Sequence, residues 1–236
     1  MNERFIRAEM LLGAEAMKKL QNSRVAVFGL GGVGSWCAEA LCRSGIGEIT
    51  LIDQDTVSES NINRQLCATY SSIGKSKAEA MAERLLDINP DVIAIPIAAR
   101  YEALTRDMFF NTDYDYIVDC IDLVSCKIDL IETAQNRGIP IISALGAGNK
   151  TDAERLCITD ISKTEACPLA RVVRKELRKR GIYHLPVVYS DELAAKPERA
   201  EEPPPGRRSI PGSLVWVTAT AGMLLCSHVV MQLTNS

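Results

Sequence analysis

The chain has 236 residues, of which 47% are apolar and 24% are charged. This composition is ordinary for a globular protein and excludes wholesale disorder and collagen-like structure. The 27 basic and 30 acidic residues give a formal net charge of −3, which excludes a globally basic nucleic-acid-binding protein but not a local basic patch. The apolar content is sufficient for one core, so we predict a single domain over residues 1–236.

Predicted strands and helices alternate along residues 21–150, after an N-terminal helix within residues 1–20 whose apolar spacing covers 9–20. Short apolar runs predict strands at residues 24–28, 48–52, 92–97, 116–120 and 139–143. Helical spacing and capping signals predict helices at residues 33–43, 76–87 and 124–137. The alternation predicts an α/β fold with a Rossmann-like, mostly parallel sheet and helices on both faces.

Residues 151–236 have a different pattern and are predicted to form a C-terminal extension. A strand at 155–159, a helix at 168–180 and a short strand at 187–189 are followed by a stretch rich in Pro, Glu and Arg. That stretch, residues 191–212, has no periodicity and is predicted to be a mobile crossover loop.

The last segment, residues 214–233, is almost uncharged and long enough to span a bilayer. Its polar residues, among them Thr218, His228 and Gln232, make it less apolar than a typical membrane span. We therefore favour a buried or dimer-interface helix, with membrane contact as the alternative.

The eight cysteines include no CxxC pair, so no zinc-ribbon spacing is present. The opening MNERFIRAEM is charged and carries no apolar signal segment. Reduced cysteines in a cytoplasmic protein are the simplest interpretation.

The strongest local motif is GLGGVG at residues 29–34, between a predicted strand and a predicted helix. Glycines let a backbone turn approach a phosphate, and a helix N-terminus offers it free N–H groups. Asp53 closes the second strand about 20 residues later, where a carboxylate can bind ribose hydroxyls. The motif predicts a nucleotide site, with glycines that serve helix–strand packing alone as the alternative.

Arg64 and Lys77 follow the second strand and its polar continuation, residues 53–65. Cations beside phosphates suit phosphate-transfer or adenylate-forming chemistry better than hydride transfer, because negative charge builds on the phosphates in the transition state. Solvated surface charge is the alternative for both residues.

Asp119 and Asp122 flank Cys120 at the end of the fourth predicted strand. A carboxylate at this position can hold Mg²⁺ against a triphosphate. Alternatively, Asp122 only caps the helix that follows.

Together, the segments GLGGVGS, LIDQDTVSESNINRQ, GKSKAEA and VDCID resemble, in order, the ThiF/MoeB-type superfamily of ubiquitin-activating-like enzymes. That family adenylates carboxylates, so the resemblance implies ATP and Mg²⁺ as cofactors. It implies a nucleotide site made of Gly29, Gly31, Gly32, Gly34, Asp53, Asp55, Asn61, Arg64 and Lys77. It assigns catalytic roles to Arg64, Lys77 and Asp122, with Asp122 as the metal ligand. Arg7 matches an arginine that reaches into the partner subunit's site, which implies a homodimer.

Two features resemble the TcdA (CsdL) branch of tRNA threonylcarbamoyladenosine dehydratases: the absent CxxC pairs, and the segments 158–172 and 206–222. The branch implies ATP-dependent cyclisation of threonylcarbamoyladenosine in tRNA through an acyl-adenylate, with release of AMP and pyrophosphate. Modified tRNA is the implied partner, and a cysteine-desulfurase or sulfur-relay protein is a further candidate. Cys167 stands where the branch is expected to carry an acid.

The alternative function is adenylation of a sulfur-carrier or ubiquitin-like protein ending in Gly-Gly. A third hypothesis is a non-catalytic nucleotide-binding adaptor. Cys167, near a helix start, is the best candidate for a nucleophilic thiol, although a small buried residue is the simpler interpretation. Residues 171–180 hold six basic side chains and one acidic side chain, which suits either a phosphate track or a solvated face. Arg207 and Arg208 are candidates to close over the substrate.

Overall fold

A computed structural model describes residues 3–196, 198 and 211–235. Seven strands of these residues form one sheet: β1 (Arg24–Phe28), β2 (Glu48–Ile52), β3 (Ile93–Ile97), β4 (Tyr116–Asp119), β5 (Ile141–Ala144), β6 (Leu156–Asp160) and β7 (Pro186–Ser190). The spatial order is β3-β2-β1-β4-β5-β7-β6. All neighbouring pairs are parallel except β6 and β7, which are antiparallel. The predicted Rossmann-like, mostly parallel sheet is confirmed.

Seven α-helices accompany the described strands: α1 (Ile6–Leu12), α2 (Ala14–Asn22), α3 (Gly34–Arg43), α4 (Lys77–Ile88), α5 (Val124–Asn136), α6 (Pro168–Arg178) and α7 (Val215–Asn235). The N-terminal helix predicted over residues 9–20 is in fact two helices. Gly13 separates them with a φ of +85°, a left-handed conformation that an α-helix cannot continue through.

Two apolar clusters lie on the two faces of the sheet. One combines residues of α2, α3, α4 and α7 with one face of the strands. The other combines α5 and α6 with an aromatic group that includes Phe28, Tyr101 and Phe109. Helices therefore cover both faces, which is why the central strands are apolar throughout.

The C-terminal helix α7 belongs to the first cluster. Val217, Ala221, Leu225 and Val229 recur every four residues and are at most 1% exposed, so they form one buried stripe. The helix approaches α3 so closely that a Cβ on Gly222 would lie 2.6 Å from the Val33 carbonyl oxygen. Among the described residues, α7 is the one helix long and apolar enough to cross a membrane. In this structure one face of the helix packs onto the domain core.

The chain order of the strands creates a switch point between β1 and β4. The chain leaves β1 outward through β2 and β3, then returns to add β4 on the other side of β1. Loops that follow β1 and β4 therefore run in opposite directions and leave a crevice at the carboxyl ends of the strands, where ligands of open α/β sheets bind.

The predicted loop over residues 191–212 is described only in part. Residues 197 and 199–210 lie outside the described residues. The predicted mobility of this loop and the predicted closure of Arg207 and Arg208 over the substrate therefore stay predictions. On both sides of the undescribed stretch, the chain is bound to Asn149. The Ala195 N–H donates to its carbonyl oxygen at 2.8 Å, and the Gly212 N–H donates to Asn149 Oδ1 at 2.6 Å.

Candidate active site

A cleft of about 850 Å³ opens at the carboxyl ends of the central strands. It brings together nine residues that sequence analysis assigned to the nucleotide or metal: Gly29, Gly31, Gly32, Asp53, Asp55, Asn61, Arg64, Lys77 and Asp122. These residues come from the loops that follow β1, β2 and β4 and from the first residue of α4, so the fold gathers them where the topology predicts a ligand.

Two other predicted residues are not among those that line the cleft. Gly34 begins α3, and a Cβ there would lie 1.8 Å from the carbonyl oxygen of Gly29; it lets the turn close tightly. Arg7 is exposed on α1 and lines no part of this chain's own cleft.

The glycine-rich turn is fixed by backbone geometry and by Asp53. Gly29 has a φ of +90°, and a Cβ there would lie 2.7 Å from the Cys120 carbonyl oxygen, so a larger residue would push β1 and β4 apart. Asp53 accepts hydrogen bonds from the Leu30 N–H at 2.7 Å and from the Asp55 N–H at 2.8 Å. Burial raises the pKa of the Asp53 carboxyl, although the nearby Lys77 opposes the shift. Asp53 thus holds the turn against the end of β2 and presents a carboxylate at the cleft.

Lys77 is the first residue of α4, and its side chain is almost fully buried. Its Nζ donates to Asp55 Oδ2 at 2.9 Å, and its backbone N–H donates to the Asp55 carbonyl oxygen at 3.0 Å. Ser76 caps the helix by accepting from the Glu79 N–H at 3.5 Å, which is one of the two hydrogen bonds of a capping box. The cap and the ion pair fix the ammonium at the cleft wall.

Arg64 is held by neutral groups. Its Nη1 donates to the Ser60 carbonyl oxygen and to Asn63 Oδ1, each at 2.9 Å, while the Trp36 indole N–H donates to the Arg64 carbonyl oxygen at 3.0 Å. Burial lowers the pKa of the Arg64 guanidinium, which stays protonated at neutral pH. No described carboxylate forms an ion pair with Arg64, so its charge is available to an anionic ligand.

The two aspartates at the end of β4 have different surroundings. Asp119 is fully buried; it accepts from Lys127 Nζ at 2.6 Å, from the Ser143 hydroxyl at 2.7 Å and from the Ile121 N–H at 3.0 Å. Lys127 also donates to the Ala144 carbonyl oxygen at 3.2 Å. Asp119 is therefore committed to a network that ties the β4 loop to the end of β5.

Asp122, in contrast, is exposed and lines the cleft. The helix that follows begins at Val124, with Leu123 at the N-cap and no side-chain capping bond. Asp122 is therefore not the N-cap residue of α5. Of the two aspartates, only Asp122 is among the residues that line the cleft.

Three further side chains of the cleft were not assigned to the site from the sequence. Cys167 is buried and caps α6, its Sγ accepting from the Ala170 N–H at 3.4 Å. Gln65 and Lys150 are also buried, and neither Gln65 Oε1 nor Lys150 Nζ has a hydrogen-bond partner among the described residues. The position of Lys150 shortly after a parallel strand was the signal that could have found it, because such loops form the ligand edge of the sheet.

No group of three or more His, Cys, Asp or Glu suited to a metal ion occurs in the described part of the chain. The cleft carboxylates Asp53, Asp55 and Asp122 therefore form no complete protein cage; Asp53 accepts from backbone N–H groups and Asp55 is paired with Lys77. Mg²⁺ commonly takes this arrangement, with one or two carboxylates completed by substrate phosphates and water.

A switch-point cleft with a tight glycine turn, an aspartate after the second strand, a buried lysine and a half-buried arginine defines a Rossmann-type nucleotide-binding protein. The chain matches the ThiF family over residues 5–235, and it belongs to that family.

Several relatives match along nearly the whole chain. The tRNA threonylcarbamoyladenosine dehydratase of Bacillus subtilis (strain 168) is 42% identical over 249 residues, covering 99% of this chain and 95% of the relative. The Escherichia coli tRNA N6-threonylcarbamoyladenosine dehydratase in complex with ATP has a TM-score of 0.89 at 34% identity, covering 99% of this chain and 94% of that chain. Its complex with AMP has a TM-score of 0.90 and covers 99% of this chain and 95% of that chain.

An adenylyltransferase and sulfurtransferase of Vanderwaltozyma polyspora is similar over a shorter stretch. It is 36% identical over 138 residues, which is 58% of this chain and 31% of that protein. The similarity to the dehydratases therefore extends much further along this chain.

Proposed function

We propose that this protein is an ATP-dependent tRNA threonylcarbamoyladenosine dehydratase. The observation that carries the proposal is the whole-length similarity to the dehydratases, joined to a cleft that gathers the nucleotide-binding residues. The substrate is tRNA bearing threonylcarbamoyladenosine, and the product is the same nucleoside cyclised with the loss of one water.

The nucleotide lies across the carboxyl ends of β2, β1 and β4. A smaller pocket of about 90 Å³ shares Gly29, Asp53, Asp55 and Ile121 with the cleft and is walled by Phe28, Ile52, Tyr101 and Cys126. Its apolar walls suit the adenine base. Asp53 then meets the ribose hydroxyls, and the glycine turn, Asn61, Arg64 and Lys77 meet the phosphates.

The first chemical step joins the threonine carboxylate to AMP. A carboxylate oxygen attacks the α-phosphorus, the bond from that phosphorus to the leaving oxygen breaks, and pyrophosphate departs. Negative charge grows on the phosphate oxygens during this step. Arg64 and Lys77 are held in place before the reaction by Ser60, Asn63 and Asp55, so they stabilise that charge without reorganising.

The second step closes the ring within the same molecule. The carbamoyl group attacks the activated carbonyl carbon and loses a proton, and AMP departs with the oxygen that the substrate loses. Because the attacking group is tethered to the carbonyl, a high effective concentration favours closure. No enzyme thiol is required, which agrees with the role of Cys167 Sγ as a helix cap.

Asp122 fits a Mg²⁺ ion that accompanies ATP, because it offers an exposed carboxylate at the cleft and phosphates supply the other ligands. The ion, when bound, neutralises charge on the triphosphate.

We propose that the substrate tRNA also contacts α6, whose first turn opens on the cleft through Pro168 and Leu169. Arg171, Lys175 and Arg178 are exposed and lie at spacings of four and three residues, so they form one stripe on the helix. The neighbouring Arg174 is instead bound to carbonyl oxygens of Ile161 and Thr164. The stripe suits a track for backbone phosphates that leads away from the cleft.

We propose that the protein is a homodimer in which Arg7 enters the partner subunit's cleft. Arg7 shares one exposed face of α1 with Met10 and Leu11, which are 75% and 89% exposed. Trp216 and Met223 are exposed on α7 as well. Large apolar side chains exposed beside a cation suit an interface between subunits. We also propose a cytoplasmic location. The sulfur-relay partner stays a prediction from the family resemblance.

Mixed dimers test the position of Arg7. Arg7→Ala and Arg64→Ala chains are each expected to be inactive alone, but a mixed dimer contains one intact site and should regain activity. The measurement is AMP release after the two chains are unfolded and refolded together. Mixing that restores nothing, when both chains are shown to dimerise, would place Arg7 outside the partner's site.

The function itself is tested with purified protein, ATP, Mg²⁺ and threonylcarbamoyl-modified tRNA. We expect AMP and a nucleoside lighter by one water in the mass spectrum, and neither with unmodified tRNA. An unchanged nucleoside from protein that binds ATP would contradict the proposal. AMP or pyrophosphate exchange that depends on a carrier protein ending in Gly-Gly would support the alternative function instead.

A further inference from the structure

Lys150 is a buried cation that the nucleotide does not account for. Lys150 is 3% exposed and lines the cleft, yet its Nζ has no hydrogen-bond partner among the described residues. A buried ammonium without hydrogen bonds is costly. Such a group in a ligand cleft indicates that the ligand supplies the missing acceptor.

The acids near Lys150 are bound to other groups. Glu192 accepts hydrogen bonds from the Thr151 N–H and the Asp152 N–H at 3.0–3.1 Å. Asp191 is ion-paired with Arg155 at 2.8 Å. Lys150 lies near enough to help lower the pKa of both carboxyls. Within the described residues, however, neither acid comes within ion-pair distance of Lys150, so neither supplies its ammonium with an acceptor.

The strand order places Lys150 beyond the triphosphate. Asp53 follows β2, the glycine turn follows β1, Asp122 follows β4, and Lys150 follows β5, the next strand along the sheet. Neighbouring strands are about 4.8 Å apart. A nucleotide that spans β2 to β4 therefore leaves Lys150 on the side from which the group to be adenylated approaches.

We propose that Lys150 binds the threonyl carboxylate of the modified adenosine and positions it for attack on the α-phosphorus; this inference rests on the proposed function. A carboxylate fits better than a backbone phosphate because the ammonium is buried within the cleft. Only a small group on an extruded nucleoside reaches that depth. The phosphates of the folded tRNA meet exposed cations such as Arg171 and Lys175 instead.

The decisive variant is Lys150→Met, which keeps the length of the side chain and removes the charge. We expect kcat/KM for modified tRNA to fall by about 30- to 100-fold, as for the loss of a hydrogen bond between charged groups. The Kd for ATP should stay within about twofold, since Lys150 lies beyond the nucleotide. Lys150→Arg should retain part of the activity, and Lys18→Met, which removes an exposed cation from α2, should match wild type.

A second measurement separates the carboxylate from backbone phosphate. Unmodified tRNA lacks the carboxylate but has the same backbone, so its Ki as a competitor should be equal for wild type and Lys150→Met. A parallel rise in that Ki would show that Lys150 binds phosphate and would overturn the proposal. A loss of ATP affinity as large as the loss in kcat/KM would overturn it too, by placing Lys150 on the triphosphate.

A third measurement separates binding from a structural role. Because the ammonium has no described partner, Lys150→Met should leave the Tm of the ligand-free protein unchanged or raise it. A Tm several degrees lower would overturn the proposal by showing that Lys150 holds the fold. Wild-type protein that yields no cyclised nucleoside would refute the proposed function, whereas an active Lys150→Met equal to wild type would refute this inference alone.

Discussion

The nucleotide side and the substrate side of the cleft differ in how many of their charged side chains find hydrogen-bond partners within the chain. On the nucleotide side, Asp53, Lys77 and Arg64 are each held by neighbouring backbone or side-chain groups. On the substrate side, Lys150 has no described hydrogen-bond partner and α6 presents exposed cations. The nucleotide half is thus organised before any ligand binds, while the substrate half is arranged to be completed by one. Preorganised charge is what a transition state requires, and unsatisfied charge is what substrate recognition requires.

The largest effect is expected where the two halves are joined, at the buried Asp119–Lys127 pair. Lys127→Met leaves the Asp119 carboxylate buried without its cation, which should lower the free energy of unfolding by about 3–5 kcal/mol. Urea denaturation measures this loss. The double variant Asp119→Asn with Lys127→Met should recover part of it, and a single variant as stable as wild type would contradict the network's role.

The next effect concerns catalysis on the nucleotide side. Arg64→Ala and Asp122→Ala should each lower turnover by about 100-fold or more, because each removes stabilisation of transition-state charge. Both residues lie in loops at the cleft, so the Tm should change little. Single-turnover AMP release is the measurement, with Arg24→Ala, a half-exposed arginine at the start of β1, as the control. Near wild-type rates in both variants would refute the site.

A smaller effect is expected on the substrate side, from the stripe on α6. Replacing Arg171, Lys175 or Arg178 by Gln should weaken tRNA binding by roughly three- to tenfold each and reduce the salt slope of log K by about one. Lys179→Gln is a matched control, because Lys179 is already paired with Glu176 at 2.7 Å. The Kd for ATP should not change in any of them. An equal loss of tRNA affinity in the control and in the stripe variants would contradict the proposed phosphate track.

The smallest effect is a pH dependence behind the nucleotide side of the cleft, where Glu39 of α3 is ion-paired with Arg43 and with Arg84 of α4. Burial alone would raise the pKa of Glu39, but hydrogen bonds from Arg84 and Arg43 lower the pKa below its ordinary value. A carboxyl whose pKa is lower in the folded state stabilises the fold above its unfolded pKa of about 4.3, and this contribution disappears as the pH falls through the folded pKa. Unfolding free energies from pH 6 to pH 2 should therefore converge for wild type and Glu39→Gln. A difference in unfolding free energy between the two proteins that does not change with pH would contradict the lowered pKa of Glu39.

The comparison also shows where sequence reasoning succeeds. Local periodicity and turn chemistry predicted nearly every described strand and helix, because alternating apolar runs and glycine turns act over a few residues. Among the nine cleft residues, the glycines, Asp53, Lys77 and Asp122 were predictable for the same reason, because they lie just after a strand or at a helix start. Asp55 and Asn61 were assigned from the family resemblance. Lys150 was missed because a lysine in a loop is ordinary in sequence, and only the packed structure shows that it is buried.

The sequence by itself determined the α/β class, the nucleotide motif and the acids and cations that follow β1, β2 and β4. Only the tertiary structure decided that Asp119 is paired with Lys127, that α7 packs its apolar stripe on α3, and that Lys150 is buried in the cleft with no described hydrogen-bond partner. The physical reason is that burial and charge pairing arise between segments far apart in the chain. A side chain's type and its sequence neighbours do not set its solvation; the strands and helices that surround it do.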